Sequence, residues 1–253
     1  MRNHIVLVFI LNSFFVTSQT NGYVEYDVSR NFAWDFHTVK TLSFNATQSI
    51  FTALKKVESD SEVTIDDKTD GVSLILRSKT KQFVLNDLEK DSLFNQEVFF
   101  KQTPITKEKT TVIPWKLQDS TKTIGEFKCQ LAIGKFRGRT YHAWFTQDIP
   151  VRFGPWKLQG LPGLILEAND DQNRVSYRAK KVSIGTVMLD VINTDEAIEL
   201  QSFINAKPQY LKEIEKKMRS KMPRDGTVEM NLPNRNTQQE ISYEWEVEVI
   251  DNN

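Results

Sequence analysis

His142 and Asp148 are the two side chains whose types and spacing come closest to a proton-transfer pair. They lie six residues apart and bracket the end of a predicted strand. Histidine titrates near neutral pH, so beside a carboxylate it can act as a general acid or base. The hydroxyl groups available nearby as nucleophiles are those of Thr140 and Thr146. A hydrolase that uses this pair is one hypothesis, and a histidine hydrogen-bonded within a sheet is the favoured interpretation.

Arg137 and Arg139 form a second candidate site. They are two residues apart, so they project to the same face if the segment is a strand. Two guanidinium groups on one face can grip a carboxylate or phosphate through bidentate hydrogen bonds, and Arg152 and Lys157 could converge with them from the following loop. The pattern predicts a site for an anionic or carboxylated ligand. The favoured alternative is an internal ion-pair network with Asp148 or Glu167.

The chain has few of the cysteine and histidine side chains that thiol or metal chemistry would need. The single cysteine, Cys129, lies in a predicted strand beside Phe127 and Leu131. These neighbours favour a buried thiol, because a reactive thiolate needs a nearby cation to lower its pKa. The mature chain would keep two histidines, His37 and His142, too few for a zinc site. We therefore predict no metal site and no cofactor.

The segment Gln147–Gly163 combines turn residues with large apolar side chains. Its three prolines and three glycines exclude regular structure, but it also carries Phe153, Trp156 and Leu161. A flexible linker would not carry such side chains, so we expect a fixed loop that buries its own apolar groups. Two roles are open. Trp156, Phe153 and Leu161 line a ligand pocket, or the loop plugs one end of a sheet or barrel.

Short strands separated by turn residues dominate the chain from Tyr23 to about Ile184, as in a sheet meander. The clearest hairpin pairs residues 127–135 with residues 139–146 around a turn at 136–138. The other predicted strands are 23–28, 39–44, 50–54, 72–77, 83–85, 97–101, 110–117, 164–166 and 174–183. The strands at 127–146 must therefore position both candidate sites.

The C-terminal part of the chain changes character. Thr194–Ile204 and Pro208–Met222 carry apolar residues at helical spacing, so two helices are predicted. The second helix is basic, which suits a membrane surface or nucleic acid, but its narrow apolar stripe favours a helix lying on the sheet. Tyr243–Val249 alternates apolar and polar residues and predicts a final half-buried strand.

The overall composition excludes some classes of protein. Acidic and basic residues balance, with 33 of each, so the chain exerts no net attraction on phosphates, and we predict no nucleic-acid partner. Apolar residues make up 39% of the sequence and include sixteen phenylalanines, which excludes a disordered chain. The length of 253 residues suits one domain.

Residues 1–18 have the pattern of a secretory signal peptide. Arg2 precedes an apolar run, Ile5–Phe15, and small side chains follow at 16–18. The run is too short to cross a bilayer, which takes about 20 apolar residues. We therefore expect cleavage before Gln19 and a mature chain that does not span a membrane.

Six short blocks between Gly125 and Ile165 resemble the signature of the GLPGLI family. They are Gly125–Cys129, Phe136–Arg139, Ala143–Phe145, Asp148–Pro150, Gly154–Lys157 and Gly160–Ile165, the last without any substitution. The resemblance implies an exported protein of Gram-negative bacteria, in the periplasm or outer envelope. It implies no accepted activity, cofactor or catalytic residue.

Together these patterns predict an α+β protein dominated by one curved antiparallel sheet, an open or half-barrel, with two C-terminal helices against it. Residues 19–253 are expected to form a single domain. The leading hypothesis is a non-enzymatic binding or envelope-assembly protein that holds an apolar or amphipathic ligand, or a segment of a partner such as an outer-membrane protein. The alternatives are a hydrolase outside the cytoplasm, using His142 and Asp148, and a structural partner of an outer-membrane complex.

Overall fold

The computed structural model describes residues 20–32, 35–53, 82–100, 102–220 and 229–247. Within these ranges, twelve strands form one sheet. Their bounds are β1 Gly22–Asn31, β2 Asp35–Phe44, β3 Gln48–Ala53, β4 Phe83–Asp87, β5 Ser92–Gln96, β6 Ile105–Lys109, β7 Lys116–Ile124, β8 Phe127–Phe136, β9 Arg139–Thr146, β10 Leu164–Asp170, β11 Val175–Ile184 and β12 Ile198–Glu199. The predicted signal peptide and the predicted strand at 72–77 lie outside the described residues.

Two antiparallel meanders make up the sheet. Strands β1 to β6 follow one another in one direction and β11 to β7 in the other, and β1 pairs with β11 where the meanders meet. The full order is β12-β6-β5-β4-β3-β2-β1-β11-β10-β9-β8-β7, and the two-residue β12 pairs in parallel with β6. The predicted hairpins around 45–47 and 136–138 are both confirmed.

The connection between β6 and β7 requires the sheet to curl. β6 ends at Lys109 and β7 starts at Lys116, yet ten strand intervals separate the two strands in the sheet order. In a flat sheet ten intervals would span about 48 Å, whereas seven extended residues reach about 25 Å at most. The described strand pairs do not join β6 to β7, so the sheet is strongly curved but open. The predicted fold class is confirmed.

Alternating side chains fill the inner side of the curl. On β1, Val24, Tyr26 and Val28 are buried while their neighbours are partly exposed. The ring of Phe51 packs edge-on against Tyr26 and Tyr177, with centroids 6.1 and 6.0 Å apart. These aromatic side chains supply much of the buried apolar area that holds the curled sheet together.

The described C-terminal part has one long helix and one short helix, but the long helix replaces the two predicted ones and the short helix lies in a predicted strand. The first, α1 (Leu200–Arg219), is continuous through Pro208, where the sequence predicted a break. Proline removes a backbone hydrogen bond and usually ends a helix. Here the helix continues because Phe203 and Leu211 are buried on either side of the proline. None of the helices in the described ranges is both long and apolar enough to cross a membrane.

The second helix, α2 (Glu244–Val247), lies where a strand was predicted, so the strand prediction for Tyr243–Val249 is wrong in its described part. The single helical turn lets Tyr243 and Trp245 stack, with ring centroids 4.5 Å apart. It also lets Glu246 accept a hydrogen bond from the backbone N–H of Tyr243 at 3.0 Å. These local partners outweigh the period-two pattern of the sequence.

Candidate functional site

The motif loop, residues 147–163, connects β9 to β10 and folds into the core. Phe153 and Leu161 are buried, and the largely buried ring of Trp156 packs against Phe136 and Tyr141 at centroid distances of 5.6 and 6.4 Å. The prediction that this loop buries its own apolar side chains is confirmed. Any contact of Trp156, Phe153 or Leu161 with a ligand stays a prediction.

The two ends of the motif loop meet at a neck, where position 163 has room only for glycine. Gly163 lies against the backbone carbonyl of Thr146 at the opposite end of the loop, so closely that a Cβ atom would overlap it. Deeper in the loop, the indole Nε1 of Trp115 donates a hydrogen bond to the carbonyl of Gln159 at 2.7 Å. Contacts at the neck and within the loop therefore hold its path.

The turn between β8 and β9 docks the C-terminal strap, which we define as residues 234–246. Arg137 and Gly138 have φ values of +51° and +81°, as in the type I′ turn of a two-residue hairpin. The carbonyl of Arg137 accepts a hydrogen bond from the N–H of Ile241 at 2.9 Å. A Cβ atom on Gly138 would lie 2.8 Å from the Cβ of Ile241, so the strap packs directly on the glycine.

A buried charge cluster lies beneath this turn, and we define it as Glu108, Arg137, Lys157 and Glu240. The ammonium of Lys157, fully buried, lies 2.6 Å from a carboxylate oxygen of Glu108 and 2.9 Å from one of Glu240. Arg137 also donates to Glu108 and has Glu240 within 3.5 Å. The cluster therefore ties β6, the turn, the motif loop and the C-terminal strap together.

The pKa shifts in the cluster favour its charged state. Burial opposes the charge on Lys157, but Glu240 and Glu108 more than offset it and raise the pKa of Lys157. Burial likewise opposes the charge on Glu240, but Lys157 and Arg137 outweigh it and lower the pKa of Glu240. These groups are therefore ionised and mutually neutralised at neutral pH.

A second buried ion pair holds the neighbouring part of the strap. Arg139 lies 2.7 Å from Asp170 and also donates to the carbonyls of Gln238 and Gln239, at 2.6 and 3.0 Å. Asp170 in turn accepts a hydrogen bond from the backbone N–H of Val175 at 2.9 Å. Both Asp170 and Arg139 are buried, so this pair forms part of the interior.

The predicted internal network of arginines is therefore present, but its predicted partners are wrong. Arg137 and Arg139 pair with different carboxylates, and neither pairs with Asp148 or Glu167 in the described part of the chain. Asp148 is exposed, and Glu167 pairs with Lys122 at 2.8 Å. Arg137 lies in the turn and not in a strand, so the two guanidinium groups are not side by side on one face. Ligand binding by Arg137 and Arg139 stays a prediction.

His142 and Asp148 are not joined by a hydrogen bond in the described structure. His142 lies in β9 between Ile133 and Asn169 of the neighbouring strands, and its side chain is half-buried. Its ring has no hydrogen-bond partner among the described residues, contrary to the favoured interpretation. The backbone N–H of Asp148 donates to the hydroxyl of Thr146 at 3.2 Å, while its carboxylate is exposed.

His37 makes the contact with a hydroxyl group that His142 lacks. Its Nδ1 lies 2.8 Å from the Oγ of Ser29 across the β1–β2 pair, in a polar groove of about 490 Å³. A catalytic Ser-His pair needs a carboxylate that orients the imidazole. Asp27 borders the same groove, but its carboxylate lies 3.3 Å from Lys180 and is not hydrogen-bonded to His37. We interpret Ser29 and His37 as an exposed cross-strand pair.

Cys129 is buried, as predicted. Burial raises its pKa to about 11, and the positive charge of Lys122 only partly offsets this. Its Sγ lies 3.6 Å from the carbonyl of Phe127. The thiol is therefore protonated at neutral pH and shielded from reagents.

The aromatic groove is an open concavity between α1 and the backbone bridge that joins Phe99 to Gln102. Its volume is about 460 Å³. Its walls are the aromatic rings of Phe99, Phe203 and Tyr210, with Phe99 lying 6.2 Å from Phe203 and 5.7 Å from Tyr210 by ring centroid. The other lining residues are Gln102, Ile198, Ser202, Ala206, Lys207, Gln209 and Glu213.

Lys207 connects the aromatic groove to the buried charge cluster. Its Nζ lies 4.6 Å from the ring centroid of Phe203 and 5.4 Å from that of Phe99. Burial lowers the pKa of Lys207, and the negative charges of Glu97 and Glu240 only partly oppose this. Glu97 is itself affected, because burial raises its pKa more than Lys157 lowers it.

Sequence reasoning missed this groove because its walls are far apart in the chain. Phe99 was placed in a predicted strand, and α1 was divided at Pro208, between Phe203 and Tyr210. The seven-residue spacing of Phe203 and Tyr210 was an available signal, since it places both rings on one face of a continuous helix. The acidic members of the charge cluster had no comparable local signal.

Residues 136–167 match a family model described as "Protein of unknown function (Porph_ging)". The match includes the Arg137–Gly138 turn, β9, the motif loop and the first half of β10. It also includes five of the six blocks on which the GLPGLI resemblance depends, all except Gly125–Cys129, but that label itself stays a prediction. The matched family provides no activity for this chain, and none of the curated proteins matches it.

Two solved structures of PNGF-II, in space groups C2 and P21, are similar to this fold. Their TM-scores are 0.50 and 0.52, at 14% and 17% sequence identity. The similarity covers 76% and 77% of this chain but 33% and 34% of the PNGF-II chains. This chain therefore spans about a third of the length of PNGF-II, and at this identity the likeness concerns the fold alone.

Proposed function

We propose that this chain is an exported, non-enzymatic binding protein that holds an apolar or amphipathic ligand in the aromatic groove. The observation that carries the proposal is a concave site of about 460 Å³ with three aromatic walls. Small-molecule sites in proteins have volumes of about 300–1,000 Å³, apolar walls and a few polar groups. A ligand that covers these rings removes apolar surface from water, which favours binding.

Two further observations support export to the periplasm or outer envelope. The sequence of residues 1–18 has the charge, apolar length and small terminal residues of a signal peptide. The GLPGLI resemblance, whose blocks overlap the matched segment 136–167, implies the same location.

The groove that we propose as the ligand site is a different part of the molecule from the motif loop. Trp156 and Phe153 pack against side chains of the chain itself, whereas Tyr210 and Lys207 border an open volume. In this proposal the motif loop is part of the scaffold, and α1 supplies the binding surface.

Ala206 provides a direct test, because it is exposed on α1 and lines the groove. Ala206→Trp places an indole in the groove without removing a core side chain. Asn205→Trp is the matched control, since Asn205 is the adjacent exposed residue and does not line the groove. The measurement is a fluorescence titration with N-phenyl-1-naphthylamine, a neutral apolar probe.

The proposal requires that the wild-type protein bind the probe and that Ala206→Trp weaken binding by at least about tenfold. Asn205→Trp should bind as the wild type does. Unchanged binding by Ala206→Trp, or no binding by the wild type, would contradict the proposal. Native mass spectrometry of the purified protein, with a bound mass lost in Ala206→Trp only, would add independent support.

A further inference from the structure

We infer that the ligand of the aromatic groove is a small amphiphile with one carboxylate head group, which Lys207 binds. This inference rests on the proposed function. Lys207 is the basic side chain among the groove's lining residues, and it lies over two of the aromatic walls, Phe203 and Phe99. A ligand whose chain contacts these rings therefore places its head group near the ammonium.

Lys207 differs from the buried cations Lys157 and Arg139 in what neutralises it. Lys157 and Arg139 have carboxylate oxygens at 2.6 and 2.7 Å. Among the described residues, no carboxylate lies within ion-pair distance of Lys207, whose contacts are with aromatic faces. A half-buried ammonium without an anion gains a charge-assisted hydrogen bond when a carboxylate binds.

The acids behind Lys207 are already engaged. Glu240 bonds to Lys157 at 2.9 Å, and Glu97 accepts a hydrogen bond from the amide of Asn95 at 2.6 Å. Their fields keep Lys207 protonated more than burial alone would, but they do not supply a direct partner. The nearby cations Lys157 and Arg235 act in the opposite direction.

The surrounding charges favour a single negative charge on the ligand. Glu213 lines the groove, and Glu97 and Glu240 lie behind Lys207. One ammonium can neutralise one carboxylate, but a dianionic phosphate would be repelled by these acids without a second cation. Phosphate sites typically use several donors or a bidentate arginine, and neither is among the groove's lining residues.

Displacement of N-phenyl-1-naphthylamine by ten-carbon amphiphiles tests the inference. Decanoate, 1-decanol and decyl phosphate share one chain and differ in the head group. At pH 7 decanoate should displace the probe at a concentration at least about tenfold lower than 1-decanol or decyl phosphate does, because a hydrogen bond between charged groups adds that much affinity. Lys207→Met should remove the advantage of decanoate and leave 1-decanol nearly unchanged.

Lys212→Met is the matched control, because Lys212 is exposed on α1 and does not line the groove. It should leave both displacement curves unchanged. The advantage of decanoate should also decline as the pH rises above neutral, because burial lowers the pKa of Lys207 from 10.5 and decanoate stays ionised throughout.

The outcomes separate this inference from the proposed function. Equal displacement by decanoate and 1-decanol, or an unchanged decanoate curve in Lys207→Met, would overturn the carboxylate inference and leave the groove proposal standing. Tighter binding of decyl phosphate than of decanoate would also overturn it. Failure of every compound and of the probe to bind would overturn both.

Discussion

The buried charge cluster and the aromatic groove meet at Lys207, but they differ in how their charges are satisfied. In the cluster, Lys157 and Arg137 have two carboxylates in common, Glu108 and Glu240, and all four side chains are largely sealed by the motif loop and the C-terminal strap. In the groove, Lys207 faces aromatic rings and open volume. The buried basic residues Arg137, Arg139 and Lys157 of the family-matched segment therefore hold the fold, whereas Lys207 lies on α1, outside that segment.

This comparison separates two kinds of variant. Changes in the cluster should lower the free energy of unfolding, and changes in the groove should lower ligand affinity with little effect on stability.

Replacement of Lys157 should have the largest effect. Lys157→Met keeps an unbranched side chain of nearly the same length but leaves Glu108 and Glu240 with Arg137 as the remaining cation of the cluster. Removing one partner of a buried ion pair costs about 3–5 kcal/mol, because the other charge stays buried without compensation. Urea unfolding should show a loss of this size.

Lys135→Met is the control for Lys157, because Lys135 is exposed in β8. It should change the free energy of unfolding by less than about 0.5 kcal/mol. If Lys157→Met lowered the free energy of unfolding by less than about 1 kcal/mol, the cluster would not be sealed from water. The proposed difference between the cluster and the groove would then be wrong.

Gly138→Ala should have the next largest effect. The added Cβ meets Ile241 at 2.8 Å and also requires a non-glycine residue at φ +81°. Gly125→Ala is the matched control, since Gly125 also has φ +60° in a hairpin turn but has open space around it. We expect about 1–2 kcal/mol of backbone strain in both variants and a further loss in Gly138→Ala alone.

Hydrogen exchange measures where that further loss arises. Amides in the C-terminal strap should exchange faster in Gly138→Ala than in Gly125→Ala, because the strap packs on Gly138. Equal exchange in the two variants would show that the strap does not depend on this contact.

Local signals explain which parts of the fold the sequence predicts. The hairpin turn at 136–138 and the strands around it follow from turn residues and alternation, which act over a few residues. The burial of the motif loop is predicted by the large apolar side chains of Trp156 and Phe153 within a run of prolines and glycines. The burial of Cys129 follows from its apolar neighbours in the sequence.

Long-range partners explain what the sequence did not predict. Glu108 lies 29 residues from Arg137, and Glu240 lies 83 residues from Lys157, so no local pattern links them. The nearer acids Asp148 and Glu167 were expected in their place. The continuity of α1 through Pro208 was missed for the same reason, since burial of Phe203 and Leu211 against distant elements offsets the local cost of proline.

The pH dependence of Glu97 and Glu240 variants tests the boundary between the two regions. Burial raises the pKa of Glu97, so its favourable contribution is present below its unfolded pKa of about 4.5 and is lost as the pH rises through the folded pKa. Glu97→Gln should therefore become more stable relative to wild type between acid and neutral pH. The Lys157 and Arg137 charges lower the pKa of Glu240 in spite of burial, so Glu240→Gln should show the opposite trend.

Urea unfolding at pH values from 3 to 8 measures both differences. The two variants should diverge in opposite directions as the pH rises. Parallel pH profiles would mean that Glu97 and Glu240 lie in equivalent surroundings. The two carboxylates would then belong to the same region of the molecule.

Tyr210→Ala should have the smallest effect on stability and a clear effect on binding. Tyr210 is partly exposed, and its ring lies 5.7 Å from Phe99 across the groove. Loss of one aromatic contact, worth about 0.5–1.5 kcal/mol, should weaken N-phenyl-1-naphthylamine binding by about two- to tenfold. The free energy of unfolding should fall by less than about 1 kcal/mol.

Trp156→Phe supplies the opposite half of this comparison, because Trp156 was expected to line a ligand pocket and is packed against Phe136 and Tyr141. Its replacement should lower stability and leave probe affinity unchanged, since the aromatic groove does not include it. If Trp156→Phe weakened binding while Tyr210→Ala did not, the ligand would have to enter the motif loop. The cluster would then border the binding site, and the structural assignment of Arg137 and Lys157 would have to be reversed.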